Sequence, residues 1–327
     1  MFTSREIKNI KGVRIIKLGL ITSWDNLIGR ISFIFDSFIY LSKQKYDLIH
    51  AFPFIAGLPA FLAGITKKTP VVFSVFALSS QSKKNNSLFS LSRILIEDLL
   101  TLHIPYTLLL TDNREFLKQH KKKKMVYIPD GVDLELFEGV NVRKSKYPQI
   151  LFVGRFHKQK GIENLLKAMP IIIKKIPNIR LVMIGYGAEE QKIREYIFNN
   201  NLNSYVTIKS PRYGRDLASE YKYSHLLVLP SLYEGQGIVV LEAWAAKIPV
   251  IATRVGSLKD LIENDKNGYL VDPNNPYQLA RRITELLVSE KRINMGRNGF
   301  NLVKEYYTWD KSVKKVYQEY KKLAILR

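Results

Sequence analysis

The sequence predicts an α/β protein of the doubly wound type, and three observations predict it. Short runs of β-branched and aliphatic residues alternate with longer helical patterns along the chain. Most of the short runs are apolar throughout rather than alternating, which is the pattern of parallel strands covered on both faces. The length, 327 residues, suits about two domains at ~150 residues each.

The elements follow in order. Strand-like runs are Val13–Leu18, Asp47–His50, Val71–Val75, Thr107–Leu110 and Met125–Ile128 in the first part of the chain. Ile150–Val153, Arg180–Ile184, Val206–Ile208, His225–Leu229, Val250–Ala252 and Tyr269–Val271 follow. Helical patterns cover Gly161–Lys175, Glu189–Asn199, Val239–Ala246 and Pro276–Ser289. Leu27–Leu41 is apolar nearly all round. Its length suits a buried helix or one lying in a membrane surface, and the buried reading is favoured because few Lys flank it closely. The stretch Arg143–Pro148 is charged and ends in Pro before a fresh strand, so the domain boundary is placed there: 1–146, then 147–304. The tail, 305–327, reads as an amphipathic helix with a basic outer face over Glu305–Leu323.

Composition excludes several classes. Lys and Arg number 51 against 29 Asp and Glu, a net charge of +22, which divides into +10 over residues 1–146 and +12 beyond. A field spread in this way favours anionic partners: nucleic acid, an acidic membrane or phosphorylated substrates. Plain solubility is the bland alternative. No zinc-finger spacing or RNP-like aromatic run is present, so a nucleic-acid partner rests on charge alone and is not expected. The absence of Cys removes disulfides, thiolate zinc sites and cysteine nucleophiles, and the five scattered His carry no metal-ligand spacing. No run approaches the ~20 apolar residues that span a bilayer, and the first residues do not read as a signal peptide. The expectation is a cytoplasmic protein, soluble or peripheral at the membrane face.

Two constellations carry chemistry. Gly154-Arg155 and Lys160-Gly161 directly follow a strand. Gly154 permits a tight turn. Arg155 and Lys160 then stand at the carboxyl edge of the sheet, where two cations suit a diphosphate, one as a planar fork and one as a point charge. The second runs from Pro230 through Glu234, Gly235, Gln236, Gly237, Ile238 and Val239 to Glu242. A helix starting near Gly237 presents unpaired N–H groups and its positive dipole end to phosphate. Glu234 precedes that helix and can bond sugar hydroxyls, while Glu242 lies within it in an apolar run, where a carboxylate needs partners.

Glu234 and Glu242, seven residues apart around Gly235-x-Gly237, resemble the E-x7-E motif of retaining glycosyltransferases. Gly154-Arg155-x4-Lys160-Gly161 resembles the diphosphate motif of the same group. Ile248–Gly256, Asn267–Val271 and Ile128–Phe137 follow the family order, with Asp130 where Asn is usual. The chain therefore resembles glycosyltransferase family 4, the group 1 glycosyl transferases, from about Tyr46 onward and most strongly over 150–273. The resemblance implies the GT-B fold: two Rossmann-like domains facing across a cleft, with the last helix crossing back to the N-terminal domain. It implies that Arg155 and Lys160 hold the donor diphosphate. Glu234 would contact the donor sugar, the amides of Gln236, Gly237, Ile238 and Val239 the sugar and phosphate, and Glu242 the ribose. Gly185, in Gly185-Tyr186-Gly187, would be a turn facing the donor; the third Gly of a dinucleotide fingerprint is missing, which argues against an oxidoreductase. No Asp-x-Asp pair is present, so the two cations and the helix start are expected to replace a metal, and no cofactor is expected.

Two departures stand out. Against the family pattern about one βα unit, ~30 residues, is expected to be absent before Val13–Leu18, unless the start is mis-assigned, and Phe76 follows Val71–Val75 where the family often has His. His50 ends another strand and is a candidate to line the cleft. The expected function is transfer of a sugar from a nucleotide-diphosphate donor to a glycan or lipid-linked acceptor. The alternatives are a non-catalytic donor-binding or scaffold subunit, with a partner chain supplying the N-terminal function, and a nucleotide-sugar epimerase. Leu27–Leu41 and the net charge suggest, as a second hypothesis, docking on an anionic membrane; Lys121–Lys124 is a candidate contact, with a solvated loop the favoured reading of that run.

Overall fold

A computed structural model of the chain describes residues 27–52, 54–75, 104–112, 114–119 and 124–325. The run Val13–Leu18, Phe76 and Lys121–Lys123 lie outside the described residues.

The chain divides into two units, 1–128 with 316–327 and 129–315. The first contains α1 (Leu27–Ser42), β1 (Ile49–Ala51), α2 (Phe54–Lys67), β2 (Val71–Val75), β3 (Leu108–Thr111), α3 (Arg114–Gln119) and β4 (Met125–Tyr127). Among its described residues four strands pair in parallel in the order β1-β2-β3-β4. Side chains alternate between the two faces, and both are covered. Val71, Phe73, Val75 and Leu109 pack with Ala60 and Ala63 of α2. Val72, Leu108 and Leu110 pack with Leu323 near the chain's end. This two-sided burial is why the strands read as unbroken apolar runs.

The second unit opens with α4 (Leu134–Glu138), capped by Asp133, whose carboxylate accepts from the Leu136 N–H at 3.2 Å. Then come β5 (Gln149–Val153), α5 (Ile162–Lys175), β6 (Arg180–Ile184), α6 (Glu190–Asn199), β7 (Val206–Lys209) and α7 (Gly214–Tyr223). The remainder is β8 (Leu226–Leu229), α8 (Ile238–Ala245), β9 (Val250–Thr253), α9 (Leu258–Leu261), β10 (Gly268–Val271), α10 (Pro276–Val288) and α11 (Lys291–Tyr306). A last helix, α12 (Trp309–Ile325), begins in this unit and ends in the first. Six strands pair in parallel in the order β10-β9-β8-β5-β6-β7. From β5 the chain winds outward through β6 and β7, then returns to β8 on the other side of β5 and winds the opposite way. The switch point of the sheet therefore lies between β5 and β8, where ligands of such sheets bind. Ile150, Phe152, Leu181, Met183 and Val228 belong to one buried cluster. Leu151, Val182, Ile184, Leu227 and Leu229 belong to the other. Residues 129–146 count with this unit because Val132, Phe137 and Val140 are buried in that second cluster.

Two helices differ from the sequence reading. Ile28, Ile31 and Phe35 of α1, one stripe at three- and four-residue steps, are 65%, 59% and 62% exposed. The helix is therefore not buried all round; only one side packs on α2 and the sheet. The tail is not one helix from Glu305. Residues 305–306 end α11, and α12 starts at Trp309. The break is set by Val132, whose N–H donates to the Tyr307 carbonyl at 2.8 Å while Val132 bridges to Thr308. The outer face of α12 is not purely basic either, since Trp309, Val313 and Tyr317 are exposed along it.

At the base of the second sheet His225 is half-buried. Its backbone N–H donates to the Gln149 carbonyl at 2.9 Å, and its Nδ1 accepts from the Gln149 N–H at 3.2 Å. Burial, then the charges of Arg292 and Lys144, lower its pKa to about 4. A His with a depressed folded pKa stabilises the fold above its unfolded value near 6.5 and loses that contribution as pH falls towards 4. Urea denaturation at pH 7.5 and 5.0 should show wild-type stability falling, with about 1 kcal/mol less of a fall in His225→Gln. Equal falls in both proteins would contradict this environment for His225.

Candidate active site

Because all six strands of the second unit are parallel, their carboxyl ends share one edge. Gly154-Arg155 leaves β5 there, Gly185 leaves β6, Pro230 leaves β8 and Arg254 leaves β9. The Gly154 N–H donates to the Ile184 carbonyl at 3.0 Å, and the Gly185 N–H to the Lys209 carbonyl at 3.1 Å, so the first two turns extend the ladder. The stretch after Gly154 folds into a 3-10 turn, Lys158–Lys160, and Gly161 then starts α5 with a left-handed φ of 60°. A Cβ on Gly161 would stand 2.0 Å from the Pro230 carbonyl oxygen. This close approach ties the turn after β5 to the loop after β8. The Leu232 N–H donates to the Gln159 carbonyl at 2.7 Å, and the Gln159 side-chain amide donates to the Tyr233 carbonyl at 3.2 Å.

The two sequence constellations meet as a result. The Lys160 ammonium donates to Glu234 Oε2 at 2.8 Å, with the two side chains only 16% and 12% exposed. The Ser231 hydroxyl donates to the same oxygen at 3.0 Å. Such a partly buried charged bond is worth on the order of 1.5–3 kcal/mol. Arg155 is exposed on the neighbouring turn. Gly237 caps α8 with φ 75°, and the Val240 N–H bonds back to its carbonyl at 2.8 Å. The N–H groups of Ile238 and Val239 lie in the first turn, where a helix offers no acceptor. Gly235 faces open space. Glu242 sits one helical turn further on, half-buried, and accepts from the Tyr221 hydroxyl at 2.6 Å. Burial raises the pKa of Glu242, and the Tyr221 bond opposes that rise. Tyr221 is fully buried, and burial followed by the Glu242 charge pushes its phenol well above the usual range.

Spacing along the chain missed Tyr221 and Ser231. Both reach the motif from other segments, and the only sequence signal was a Tyr on the polar stretch before β8 and a Ser beside Pro230. His50 is elsewhere, on β1 of the first unit. Its Nε2 pairs with the Ser74 hydroxyl at 2.8 Å, its Nδ1 with the Tyr320 hydroxyl, and Phe52 lies 4.1 Å from its ring. Burial lowers its pKa to about 4. Both ring nitrogens are thus engaged within the first unit.

Residues 135–302 match the family model described as glycosyl transferases group 1. The chain belongs to that family. This group 1 glycosyl transferase is 35% identical over 207 residues to an uncharacterized glycosyltransferase of Methanocaldococcus jannaschii, covering 62% of this chain and 56% of the relative. It is 28% identical over 325 residues to spore coat protein SA of Bacillus subtilis, covering 86% and 80%. The chain spans about half the length of the first two curated relatives it matches, 56% and 50%. Among solved structures, sucrose-phosphate synthase of Thermosynechococcus elongatus superposes with a TM-score of 0.79 at 25% identity, over 91% of this chain and 79% of that one. HepE of Anabaena, solved with UDP, superposes at 0.75 with 17% identity, over 89% and 82%, a likeness of fold. The fold is accordingly GT-B, an α/β architecture with two parallel sheets.

The close approach at Gly161 makes a direct stability prediction. Gly161→Ala should lose about 2–3 kcal/mol in urea denaturation, from strain at positive φ and displacement of the Pro230 carbonyl. Wild-type stability in that variant would contradict the approach.

Proposed function

We propose that the chain transfers a sugar from a nucleoside-diphosphate sugar to an acceptor hydroxyl with retention of anomeric configuration. The observation that carries the reading is the Lys160–Glu234 pair, a cation and a carboxylate in contact at the switch point, where sheets of this kind bind ligands; in this reading the donor diphosphate and its sugar meet there. The anomeric C–O bond to the diphosphate breaks, and its electron pair leaves on the phosphate oxygen. The acceptor oxygen forms the new bond to the anomeric carbon from the same face, and its proton passes to the departing phosphate. Arg155, Lys160 and the amides of Ile238 and Val239 stabilise the charge that builds on the leaving group. Glu234 holds sugar hydroxyls. Glu242, oriented by Tyr221, holds the ribose. Two cations and a helix start supply the neutralisation that a divalent metal gives elsewhere, so the reaction is metal-independent. The relatives named for glycosyl transfer and the UDP held by HepE support the reading.

Purified chain should release nucleoside diphosphate from at least one nucleotide-sugar. Glu234→Ala and Lys160→Ala should each lower that rate by about 10²-fold or more, while EDTA leaves it unchanged. Donor binding without turnover, in the presence of varied acceptors, would favour instead a donor-binding subunit. That second reading is motivated by Phe76, which cannot make the hydrogen bonds of a His.

We further propose that the acceptor side works at an anionic membrane. Among the described residues no helix is long and apolar enough to cross a membrane. The exposed Ile28, Ile31 and Phe35 on α1, in a chain of net charge +22, favour surface docking. Ile31→Asp/Phe35→Asp should abolish co-flotation with phosphatidylglycerol vesicles and leave donor hydrolysis intact. Undiminished flotation would remove α1 from the contact.

A further inference from the structure

Five basic side chains gather at the amino edge of the second unit's sheet, at the opposite ends of the strands from Lys160 and Glu234. A five-residue strand such as β5 separates the two edges by about 15 Å. Lys144 comes from the segment before β5, Lys222 from the last turn of α7, His225 from the start of β8, Lys247 from the turn between α8 and β9, and Arg292 from the first turn of α11. The Lys144 ammonium turns in to donate to the Ser224 carbonyl at 2.5 Å, although the residue as a whole is exposed. The Lys222 ammonium donates to the Val140 carbonyl at 2.6 Å. Each ammonium keeps two further N–H groups.

The cations of this group repel one another, with one carboxylate, Glu138, acting on Lys222. Burial and then Arg292 and Lys222 depress Lys144 to about 8, and Arg292 and Lys144 act on His225 in the same sense. Burial and then Lys247 lower the pKa of Lys222, and Glu138 raises it. Among the described residues no carboxylate offsets the cations at Lys144, His225 or Arg292. Lys144 and Lys222 gain something from the carboxyl end of α7, where the dipole favours cations. Arg292 has no such compensation, since it sits at the amino end of α11, where the dipole opposes it. Its Nε is buried and has no hydrogen-bond partner among the described residues. A buried donor without an acceptor, among repelling cations, calls for an anion or an ordered water. Water answers the donor and leaves the charge unanswered.

We propose that Lys144, Lys222 and Arg292, with His225 beside them, form a phosphate-binding site separate from the donor site. The ligand class is a dianionic phosphate, free or as a small monoester. Its oxygens accept from the Arg292 guanidinium and from the two ammonium groups that already lean on the Ser224 and Val140 carbonyls. Lys247, held over the Phe300 ring at 4.5 Å, adds long-range attraction. The inference concerns this edge alone and does not depend on the transfer activity.

The test uses the C2 proton of His225, followed by NMR across pH in the full chain and assigned with His225→Gln. A phosphate held beside the ring raises its titration midpoint, because it counters the cations that depress it. With inorganic phosphate, compared with chloride at equal ionic strength, the midpoint should rise by about one unit, as expected for one close opposite charge. The rise should persist in Arg155→Ala/Lys160→Ala, whose donor-edge cations are gone. It should vanish in Lys144→Gln/Arg292→Gln. Should that pair of changes unfold the chain, Lys144→Gln alone, at an exposed residue, should raise the phosphate concentration needed for half the effect by about fivefold. A steeper response to glycerol 3-phosphate than to inorganic phosphate would assign the site to monoesters. A midpoint that is the same in phosphate and chloride, or a rise that survives removal of Lys144 and Arg292, would overturn the site.

Discussion

The contact between Lys160 and Glu234 is the constraint on which the candidate site depends. The two residues lie 74 positions apart, on turns that leave β5 and β8. They meet because the chain reverses its winding direction between those strands, which leaves their carboxyl ends adjacent without an intervening helix. The approach of Gly161 to Pro230 holds the turns together, and Ser231 fixes the carboxylate oxygen that the ammonium uses. The Ser231 carbonyl is itself bonded by the buried Thr253 hydroxyl at the end of β9. The site is thus braced by three consecutive strands rather than carried on one mobile loop, which suits electrostatic stabilisation that must be in place before charge develops.

On the proposed reading the same pair also governs donor entry. Lys160 is already paired with Glu234, so a donor diphosphate would have to compete with the carboxylate for the ammonium. A donor that carries its sugar offers Glu234 hydroxyl groups in return. A bare nucleoside diphosphate offers nothing. Such an exchange would favour intact donor over spent product, a bias that suits release of the leaving group in the proposed reaction. Glu242 and Tyr221 stand apart from that pair; their bond holds the second carboxylate in one orientation.

The strands were legible because parallel sheets bury both faces, and no sequence pattern marks this more plainly than Ile150–Val153 or Leu226–Leu229. The two turns of the candidate site were legible because Gly and charged residues are rare in such runs and stand out at their ends. The break at Tyr307 was not legible, since it depends on Val132, far away in the chain. The exposure of Ile28, Ile31 and Phe35 was missed for a related reason: an all-round apolar helix carries no period to say which side is covered. Tyr221 and Ser231 escaped notice because their roles come from what they touch, not from spacing. His50 lies inside β1 rather than at its end, and its satisfied nitrogens could be seen only once Ser74 and Tyr320 were in place.

The central claim is that Glu234 restrains Lys160 until an intact donor replaces it. Calorimetric titration of UDP and of UDP-glucose into wild-type protein and Glu234→Ala tests it most directly. Removing Glu234 frees the ammonium, so UDP should bind the variant as tightly as wild type or more tightly, while UDP-glucose loses its advantage over UDP. If Glu234→Ala instead weakens UDP and UDP-glucose equally, the carboxylate supports the site only as structure, and the exchange does not occur.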